Sequence, residues 1–495
     1  MARFHVKTFG CQMNQHDSER LAELLQRAGH VPAATAAGAD LLVVNTCSVR
    51  AKAEQKLRSE LGRLAGLRRK RPGLVLCVAG CVAQQEGERL VRGPARVDIV
   101  IGPDNIPELP GLFDRIVSGA PPQVRTSFDL EAPRFLGAGS LTAAATPKGS
   151  AIAACAFVTV MKGCNERCSF CVVPSTRGPE RYRAASEILD EVARLVRAGV
   201  REVTLLGQTV NSYHDPARAL PRAPGFGEGA WRHTSEAAAR TDESEFASLL
   251  RAIVGQVPEL KRLRYTAPHP RYLTGSLIRA HRELPELAAH VHMPVQSGSD
   301  RILKRMVRRH TVAEYEERVS RLTEAVPGLT LSTDVIVGFP GETRVDFQAT
   351  IDLVRRVGFT GMFGFKYSPR PQTPAFKLAD DVPEPEKAQR LAEAFAVSDT
   401  IRDQHLSRLQ GQLVQVLVEG CGDDGRWTGR TERNEIVHFE SPGEQIGGIV
   451  RVRIVSPFKH SLLGERETGP ETAGGTGTVD PARRLGRRAL KVVRT

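Results

Sequence analysis

A strand-then-helix pattern repeats six times between residues 156 and 367, and it constrains the fold more than any other feature of the chain. Each apolar strand runs into a polar loop and then into a helix, as parallel strands covered by helices do. Because six units are fewer than the eight of a closed barrel, we predict an incomplete (β/α)6 barrel whose ligand site lies at the carboxyl ends of the strands. The predicted strands are 156–160, 202–206, 263–266, 290–293, 330–337 and 362–366.

Three cysteines follow the first of these strands on a single loop: Cys164, Cys168 and Cys171. Their CxxxCxxC spacing can hold three corners of a cubane [4Fe–4S] cluster and leave the fourth iron open to a small molecule. A zinc knuckle and a redox dithiol are the alternatives, although zinc would need a fourth Cys or His nearby and the loop has none. We therefore predict an iron–sulfur cluster at this loop.

Residues 3–118 alternate strands with helices, which predicts a parallel sheet covered on both faces. Its first three strands end at Cys11, Cys47 and Cys81, so the fold would gather these cysteines at one edge of the sheet. The pattern indicates a second site of three thiolates; the alternative is three buried thiols that pack as small hydrophobic side chains. The remaining cysteines are interpreted as core or spectator residues: Cys77, Cys155 and Cys421.

The composition is that of a globular protein with a polyanionic partner. The 495 residues are 41% hydrophobic and 25% charged, with a formal net charge of +13. This charge favours nucleic acid as a partner, and an Arg-rich composition without any partner is the alternative. The chain has no apolar run of membrane-spanning length and no signal-peptide core at its start, so we expect a cytoplasmic protein without membrane contact. Nine cysteines in that compartment are not expected to form disulfides.

The sequence divides into domains and connecting segments. We predict an N-terminal domain at 1–118, whose helix 18–28 is capped by Ser18, a linker at 119–154 and the partial barrel at 155–400. Residues 214–244 form a long insertion, interpreted as a lid or as a segment disordered at its centre. Residues 466–495 are interpreted as a basic, flexible tail.

Residues 401–465 combine the end of a helix with short alternating strands, which predicts a small antiparallel β-barrel of about five strands. Such barrels bind oligonucleotides through their sheet face and loops. A barrel that only packs against the preceding domain is the alternative. The basic side chains of this segment are Arg426, Arg430, Arg433, Arg451, Arg453, Lys459 and His460.

Motifs in all three domains resemble the radical SAM (S-adenosylmethionine) methylthiotransferase family. TFGCQMN (8–14), NTCSVRAKAE (45–54) and AGCVAQ (79–84) resemble its N-terminal domain, and GCNERCSFCVVPSTRG, MPVQSGSDRILKRMVRRHT, STDVIVGFPGET and YSPRPQTPA resemble its radical SAM core. The C-terminal barrel resembles a TRAM domain. SFCVVPSTRGPE and LGQTVNSY are closest to members that act on dimethylallyl (isopentenyl)-adenosine in tRNA. The departures are at residues 50–52, in the long insertion and in the basic tail, which affects loop contacts and not the reaction class.

The resemblance implies an α/β enzyme with two [4Fe–4S] clusters. Cys164, Cys168 and Cys171 would hold the cluster that cleaves SAM, and Cys11, Cys47 and Cys81 an auxiliary cluster. The implied reaction is methylthiolation of carbon 2 of dimethylallyl-adenosine at adenosine-37, next to the tRNA anticodon. SAM would act both as radical source and as methyl donor, and no catalytic side chains are expected beyond the cluster ligands. The implied partners are the tRNA anticodon stem-loop and a low-potential electron donor of the flavodoxin or ferredoxin type, with the enzyme a monomer.

Two groups of polar residues are candidates for further contacts. Gln208 and Gln296 follow the second and fourth barrel strands, so they are predicted to bind SAM; capping of loops or binding of water is the alternative. Two runs of cations could follow tRNA phosphates, and a solvated helix face is the alternative for the second run. The runs are Arg177, Arg181 and Arg183, and then Arg301, Lys304, Arg305, Arg308 and Arg309.

Two other functions remain open at this point. A methylthiotransferase could act on threonylcarbamoyl-adenosine in tRNA or on a ribosomal protein. An RNA-binding scaffold with purely structural clusters would also be compatible with the basic barrel.

Overall fold

The computed structural model describes residues 1–49, 51–131, 133–137, 153–218 and 242–467. The chain forms two compact units, of which the first contains Met1–Leu136 and the second Gly137–Glu465. The predictions for the centre of the long insertion, for most of the second half of the linker and for nearly all of the basic tail lie outside the described residues. None of the helices in the described ranges combines the length and hydropathy that crossing a bilayer requires.

The first unit is a six-stranded parallel sheet in the order β2-β1-β3-β4-β5-β6. Its strands are β1 (Arg3–Phe9), β2 (Val31–Pro32), β3 (Leu41–Thr46), β4 (Val75–Ala79), β5 (Ile99–Ile101) and β6 (Gln123–Arg125). Its helices are α1 (Gln12–Arg27), α2 (Ala51–Lys70), α3 (Cys81–Glu86), α4 (Glu88–Arg92) and α5 (Leu109–Val117).

Alternation along the central strands explains why both faces of this sheet are covered. In β3, Leu41 and Val43 belong to one buried cluster, whereas Leu42 and Val44 belong to the other. Because successive side chains of a strand point to opposite faces, an unbroken apolar run supplies two cores at once. The predicted doubly covered parallel sheet is confirmed.

Two details of the first unit differ from the sequence-based expectation. Helix α1 begins at Gln12, so Ser18 is an interior residue and not the predicted N-cap. Ser18 is buried, and its hydroxyl accepts hydrogen bonds from Thr8 and Asn45. The first turns of α1 are therefore polar although they are buried, so they lack the apolar periodicity by which a helix is recognised in a sequence. The short strand β6 lies within the segment predicted as a linker, because three residues carry too little periodicity to be recognised.

The second unit contains six parallel strands, which are connected by helices and arranged as two three-stranded sheets. One buried apolar cluster runs under both sheets, so the predicted six-unit incomplete barrel is confirmed. Its six core strands are β7 (Cys155–Thr159), β10 (Glu202–Leu206), β11 (Arg262–Tyr265), β12 (His290–His292), β13 (Thr330–Val337) and β14 (Gly361–Lys366). A small hairpin follows β7: β8 (Met161–Lys162) and β9 (Arg181–Tyr182). The helices are α6 (Val173–Arg177), α7 (Ala185–Arg197), α8 (Glu245–Gln256), α9 (Gly275–Glu283), α10 (Asp300–Arg305), α11 (Val312–Ala325), α12 (Arg344–Val357) and α13 (Glu384–Arg408).

The two sheets meet between β11 and β12 through a single parallel bridge. Leu263 pairs with Leu287, where the Leu263 N–H donates to the Glu286 carbonyl and the Ala288 N–H donates to the Leu263 carbonyl. The six strands therefore follow one another in chain order, and their carboxyl ends face the same way.

Hydroxyl side chains fix where the helices of this unit begin. Thr311 and Thr343 each form a complete capping box with an acidic residue three positions later. Ser244, Thr274 and Ser299 cap three further helices with their side chains. A cap of this kind satisfies a backbone N–H that the first turn leaves free, so these helix starts could be predicted from the sequence.

The C-terminal barrel is closed by five strands in the order β15-β16-β17-β19-β18. Valine and phenylalanine side chains from alternating positions fill it, and Leu406 and Leu409 at the end of α13 pack onto the same core. The predicted small barrel is confirmed, with the addition that β17 and β19 pair in parallel. The strands are β15 (Leu413–Cys421), β16 (Trp427–Arg430), β17 (Ile436–Glu440), β18 (Ile449–Pro457) and β19 (Leu462–Arg466).

Candidate metal-cluster sites

Three neighbouring strands of the first unit bring Cys11, Cys47 and Cys81 to one edge of the sheet. Cys11 lies between β1 and α1, Cys47 follows β3, and Cys81 opens α3 directly after β4 and Gly80. Cys47 and Cys81 are buried and Cys11 is half-buried. A hydrogen bond with Cys11, burial and the nearby Cys81 thiol together raise the pKa of Cys47. The fold therefore places the three thiols within interaction distance of one another.

A buried asparagine pair braces this cysteine edge. The Cys11 thiol donates to Asn14 Oδ1 at 3.3 Å, and Asn14 Nδ2 donates to Asn45 Oδ1 at 3.1 Å. Asn45 Nδ2 in turn donates to the Asn14 carbonyl at 2.9 Å. Sequence reasoning missed both asparagines as supporting residues, although each lies in a motif that contains one of the cysteines.

Two glycines allow the cysteine loops to approach so closely. A Cβ added to Gly10 would lie 2.5 Å from the Cys47 Cβ, and one added to Gly80 would lie 2.2 Å from Asn45 Oδ1. Both glycines also have positive φ angles, +144° and +90°, which other residues rarely adopt. Any side chain at either position would push the cysteine loops apart.

The second cysteine triplet lies on one loop between β8 and α6. The Cys171 N–H donates to the Cys168 carbonyl at 3.0 Å, which closes a tight turn between them. Burial is the main cause that raises the pKa of Cys164, and burial together with Cys168 raises the pKa of Cys171 to about 12. These thiols are therefore protonated at neutral pH without a metal, and binding a metal would release their protons.

Two side chains from other loops of the barrel contact the sulfurs of this loop. Thr209, after β10, lies 3.0 Å from the Cys164 sulfur. Arg308 is buried and donates from one terminal nitrogen to the Cys168 sulfur at 3.5 Å and from the other to the Pro294 carbonyl at 3.0 Å. Sequence reasoning missed this role for Arg308, because the contact spans distant parts of the chain.

Several buried polar atoms near this loop have no hydrogen-bond partner among the described residues. Gln208 accepts from the Gly163 N–H at 2.5 Å through Oε1, which leaves its Nε2 without a partner. Glu166 accepts from the Tyr272 hydroxyl at 2.6 Å through Oε1, which leaves Oε2 without a partner. Because buried polar groups are normally paired, these atoms indicate where a polar ligand would bind.

Two buried histidines lie beside Arg308. His269 accepts from the Arg271 N–H through Nδ1, and the hydrogen bond between His310 Nδ1 and the Arg308 carbonyl makes that nitrogen a donor. Burial and the Arg308 charge hold the pKa of His269 well below its usual range and lower that of His310 to about 4. At neutral pH both rings are therefore uncharged, and each has a buried Nε2 without a partner in the described structure. His269 lies in the loop after β11, at the carboxyl end of a barrel strand.

The two residues predicted to bind SAM are placed differently. Gln208 adjoins the cysteine loop, as described above. Gln296 has a φ of +78°, and its backbone bonds with Asp334 and Ile336 anchor it beside β13. The structure thus ties Gln208 directly to the cysteine loop and holds Gln296 through its backbone.

The first cationic run does not form the exposed phosphate track that the sequence suggested. Arg177, Arg181 and Arg183 are 4%, 4% and 5% exposed, and Arg183 is paired with Glu187 and Glu191. Arg183 thereby joins the hairpin to α7, and Arg181 donates to the Arg177 carbonyl.

The second run does not share one helix, since α10 ends at Arg305. Arg301 pairs with Asp346, Arg305 donates to the Pro340 carbonyl, and Arg308 is buried. Arg301, Lys304, Arg305 and Arg309 are all exposed, so these four are the members of the run that solvent or RNA can reach.

Both cysteine sites fit a thiolate-bound cluster. Among the described residues, no three Cys, His, Asp or Glu side chains converge closely enough for a single metal ion. A cubane needs wider spacing, because each thiolate binds a different iron atom. At the first site, Thr46 and Ser48 flank Cys47 with buried hydroxyls that have no partner in the described chain and could donate to a cluster or its ligands.

Models of three protein families match successive parts of the chain. Residues 3–102 match one described as uncharacterized protein family UPF0004, residues 158–354 match the radical SAM superfamily, and residues 407–465 match the TRAM domain. The first and second matches each contain one cysteine triplet.

Curated relatives match over nearly the whole length. A protein of Sorangium cellulosum (strain So ce56) is 58% identical over 508 residues, covering 100% of this chain and 99% of its own. A protein of Ralstonia nicotianae (strain ATCC BAA-1114 / GMI1000) is 42% identical over 476 residues, covering 94% of this chain and 97% of its own. Both are named tRNA-2-methylthio-N(6)-dimethylallyladenosine synthase.

Among solved structures, the radical S-adenosylmethionine methyltransferase TsrM from Kitasatospora setae, with tryptophan and a SAM analogue bound, has a TM-score of 0.50. It covers 81% of this chain and 89% of its own, at 13% sequence identity. At this identity the likeness concerns the fold alone.

Proposed function

Because the chain belongs to the family of tRNA-2-methylthio-N(6)-dimethylallyladenosine synthases, we propose that its two cysteine triplets hold the two clusters of that reaction. The protein is a radical SAM transferase that places a methylthio group on carbon 2 of dimethylallyladenosine in tRNA, with SAM and [4Fe–4S] clusters as cofactors.

The observation that carries the assignment is the pair of three-thiol sites, each at the carboxyl ends of parallel strands. Cys164, Cys168 and Cys171 would hold the cluster that binds SAM, since this triplet adjoins buried polar atoms without partners. Cys11, Cys47 and Cys81 would hold the auxiliary cluster that presents sulfur. Three ligands at each site leave one iron open for SAM or sulfur.

The clusters and SAM supply the one-electron and sulfur chemistry, because the hydrogen on carbon 2 of adenine is unactivated and no side-chain base could remove it. The protein side chains bind and orient the clusters, SAM and the substrate. Gln208 Nε2 and Glu166 Oε2 both lie beside the SAM cluster loop, where Gln208 Nε2 can donate to the carboxylate of SAM and Glu166 Oε2 can accept from its amino group. Gln296 remains a proposed SAM contact on the opposite sheet.

The neutral histidines beside Arg308 add directional hydrogen bonding without adding charge. His269 offers an Nε2–H donor and His310 an Nε2 acceptor, as their hydrogen bonds through Nδ1 indicate. A donor and an acceptor that remain uncharged suit the edge of an adenine ring or a ribose hydroxyl. We assign them to positioning, not to proton transfer.

We also propose the position of the substrate nucleoside, the two roles of SAM, the electron donor and the oligomeric state. The substrate would be adenosine-37 in the anticodon stem-loop, recognised in part by the basic TRAM barrel. SAM would serve both as radical source and as methyl donor, and electrons would come from a flavodoxin- or ferredoxin-type protein. The enzyme would act as a cytoplasmic monomer.

Nucleoside mass spectrometry of tRNA tests the function. Anaerobic, cluster-reconstituted protein is incubated with SAM, a low-potential reductant and tRNA that contains dimethylallyladenosine. We expect a mass gain that corresponds to the methylthio group, and its loss in Cys164→Ala and Cys47→Ala. Modification of threonylcarbamoyl-adenosine instead would redirect the substrate assignment.

Iron analysis tests the assignment of ligands separately from activity. We expect about eight iron atoms per wild-type chain, and about four in either variant, because each triplet holds one four-iron cluster. Cys421→Ala is the matched control, since Cys421 is an exposed cysteine outside both triplets and should leave iron content unchanged. Full iron content in Cys47→Ala would contradict the auxiliary site.

A further inference from the structure

A cavity of about 520 Å³ lies in the second unit at the end of the barrel away from the cysteine loop. It is bounded by Thr330 at the start of β13, by Thr360 just before β14, by the last turns of α13 and by Arg433 in the C-terminal barrel. These are the amino ends of the strands, whereas Cys164 and its neighbours follow the carboxyl end of β7. The cavity is therefore separate from the cluster site.

The charge of the cavity lining is one-sided. Arg355, Arg408 and Arg433 line it, and no Asp or Glu is among the described residues that do. Arg355 pairs with Asp352 at 3.4 Å, and the lining His405 pairs with Glu435 at 2.8 Å.

Arg408 and Arg433 have no ion pair with any described residue. Guanidinium groups that share a cavity repel one another unless an anion lies between them. The cavity therefore presents uncompensated positive charge to a ligand.

Arg433 is held at the cavity by its surroundings. Its backbone carbonyl accepts from Thr330 Oγ1 at 3.1 Å, and its guanidinium lies against Gly328, where an added Cβ would come 2.8 Å from a terminal nitrogen. Its Nε is buried and has no hydrogen-bond partner in the described chain. The absence of a side chain at Gly328 thus leaves room for the Arg433 guanidinium, whose Nε–H is free to donate to a ligand.

The walls between these arginines are apolar, formed by Leu329, Leu331 and Val357. The volume lies in the range of sites for small molecules, which runs from roughly 300 to 1,000 Å³. Arginine clusters bind phosphate through bidentate charged hydrogen bonds, and an apolar wall accepts a base or sugar face. We propose that this cavity binds a phosphate ester of nucleotide size, through Arg408 and Arg433.

Two sources could supply such a phosphate: a free mononucleotide, or a phosphodiester of RNA that is bound elsewhere on the enzyme. Either ligand would link β13, α13 and the loop of the C-terminal barrel, since the three meet at the cavity. A bound ligand would thus fasten the barrel to the radical SAM core.

Calorimetric titration of the cluster-loaded enzyme with uridine 5′-monophosphate tests the proposal. A pyrimidine nucleotide is chosen because its base differs from the adenine of SAM and of the substrate nucleoside, and uridine without phosphate is the ligand control. We expect binding of the monophosphate and not of uridine. Arg408→Gln and Arg433→Gln should each weaken it roughly tenfold, as loss of one charged hydrogen bond does.

Arg282→Gln is the matched protein control, because Arg282 is also exposed and has no ion pair with a described residue. Affinity for tRNA is measured on the same variants. Loss of monophosphate binding with unchanged tRNA affinity identifies a free nucleotide as the ligand, and a parallel loss of tRNA affinity identifies an RNA phosphate. If Arg408→Gln changes neither affinity, the proposal is wrong. Because Arg408 is exposed, this variant is expected to fold, and it provides the test even if Arg433→Gln does not fold.

Discussion

At the scale of single residues, Arg308 links the Pro294 carbonyl, in the loop after β12, to the Cys168 sulfur. A buried positive charge that donates to a thiolate stabilises the more negative, reduced cluster and so raises its reduction potential. We expect Arg308→Gln to lower the potential of the SAM-binding cluster by about 60 mV or more, which corresponds to one factor of ten for one electron. The potential is measured by redox titration followed by electron paramagnetic resonance, in a Cys47→Ala background that lacks the other cluster.

Arg305→Gln is the control for this experiment, since Arg305 lies three positions earlier and bonds to the Pro340 carbonyl. Arg308→Lys should restore part of the potential. An unchanged potential in Arg308→Gln would mean that the guanidinium only supports the Pro294 loop.

His281 gives a prediction about acid stability. It is buried, and its Nε2 lies 2.7 Å from the Tyr265 hydroxyl. Burial lowers its pKa from 6.5 to about 3. Between pH 6.5 and about pH 3, the unfolded chain therefore binds a proton at His281 that the folded protein does not bind. The free energy of unfolding decreases as the pH falls through this range, by up to about 1.4 kcal/mol per pH unit.

Thermal midpoints at pH 7.5 and pH 5.5 check this prediction. We expect the wild-type midpoint to fall more between these pH values than that of His281→Gln, which retains a polar partner for Tyr265 but cannot titrate. Equal falls in both proteins would show that other buried histidines, such as His269 and His310, dominate the acid sensitivity.

At the scale of elements, the loops that follow β1 and β4 fit together only because they carry glycine. Gly10→Ala would place a Cβ 2.5 Å from that of Cys47, so we expect it to displace the cysteine and to remove about four iron atoms per chain. Gly62→Ala is the control, since Gly62 lies within α2 and a Cβ there meets nothing within 4 Å. Full iron content in Gly10→Ala would show that the loops can separate without loss of the cluster.

What could be predicted from the sequence depended on how local the signal was. Cys164, Cys168 and Cys171 are neighbours in the chain, and caps such as Thr311 and Thr343 act within one helical turn, so both could be read directly. Ser18 was misread because its partners Thr8 and Asn45 lie on neighbouring strands.

The arginines after the cysteine loop were misread for a related reason. A sequence shows the charge of Arg183, but it does not show that Glu191 lies beside it in the folded protein. The contacts of Asn14, Asn45 and Arg308 likewise depend on tertiary structure. The roles of residues whose contacts are local in the sequence could therefore be predicted, whereas roles that depend on contacts between distant parts of the chain could not.

At the scale of the whole molecule, the net charge of +13 should appear in the salt dependence of tRNA binding. Arg451 and Arg453 alternate with buried valines on β18 and are exposed on the barrel surface. If they contact phosphates, replacing each by Gln should weaken binding at low salt and reduce the slope of log K against log salt by about one. Arg279→Gln, on α9, is the control. An unchanged slope would place the tRNA on another surface.

The two cysteine triplets also differ in when a nascent chain can assemble them. Cys164, Cys168 and Cys171 are close together even in an unfolded chain, so a chaperone could load iron there during synthesis. Cys11, Cys47 and Cys81 meet only after β1, β3 and β4 have paired, because closing the intervening loops costs entropy until the sheet forms. If the triplets hold the clusters as proposed, the auxiliary site can bind its iron only after the sheet has folded, and a chain that stalls before then would carry half of its iron.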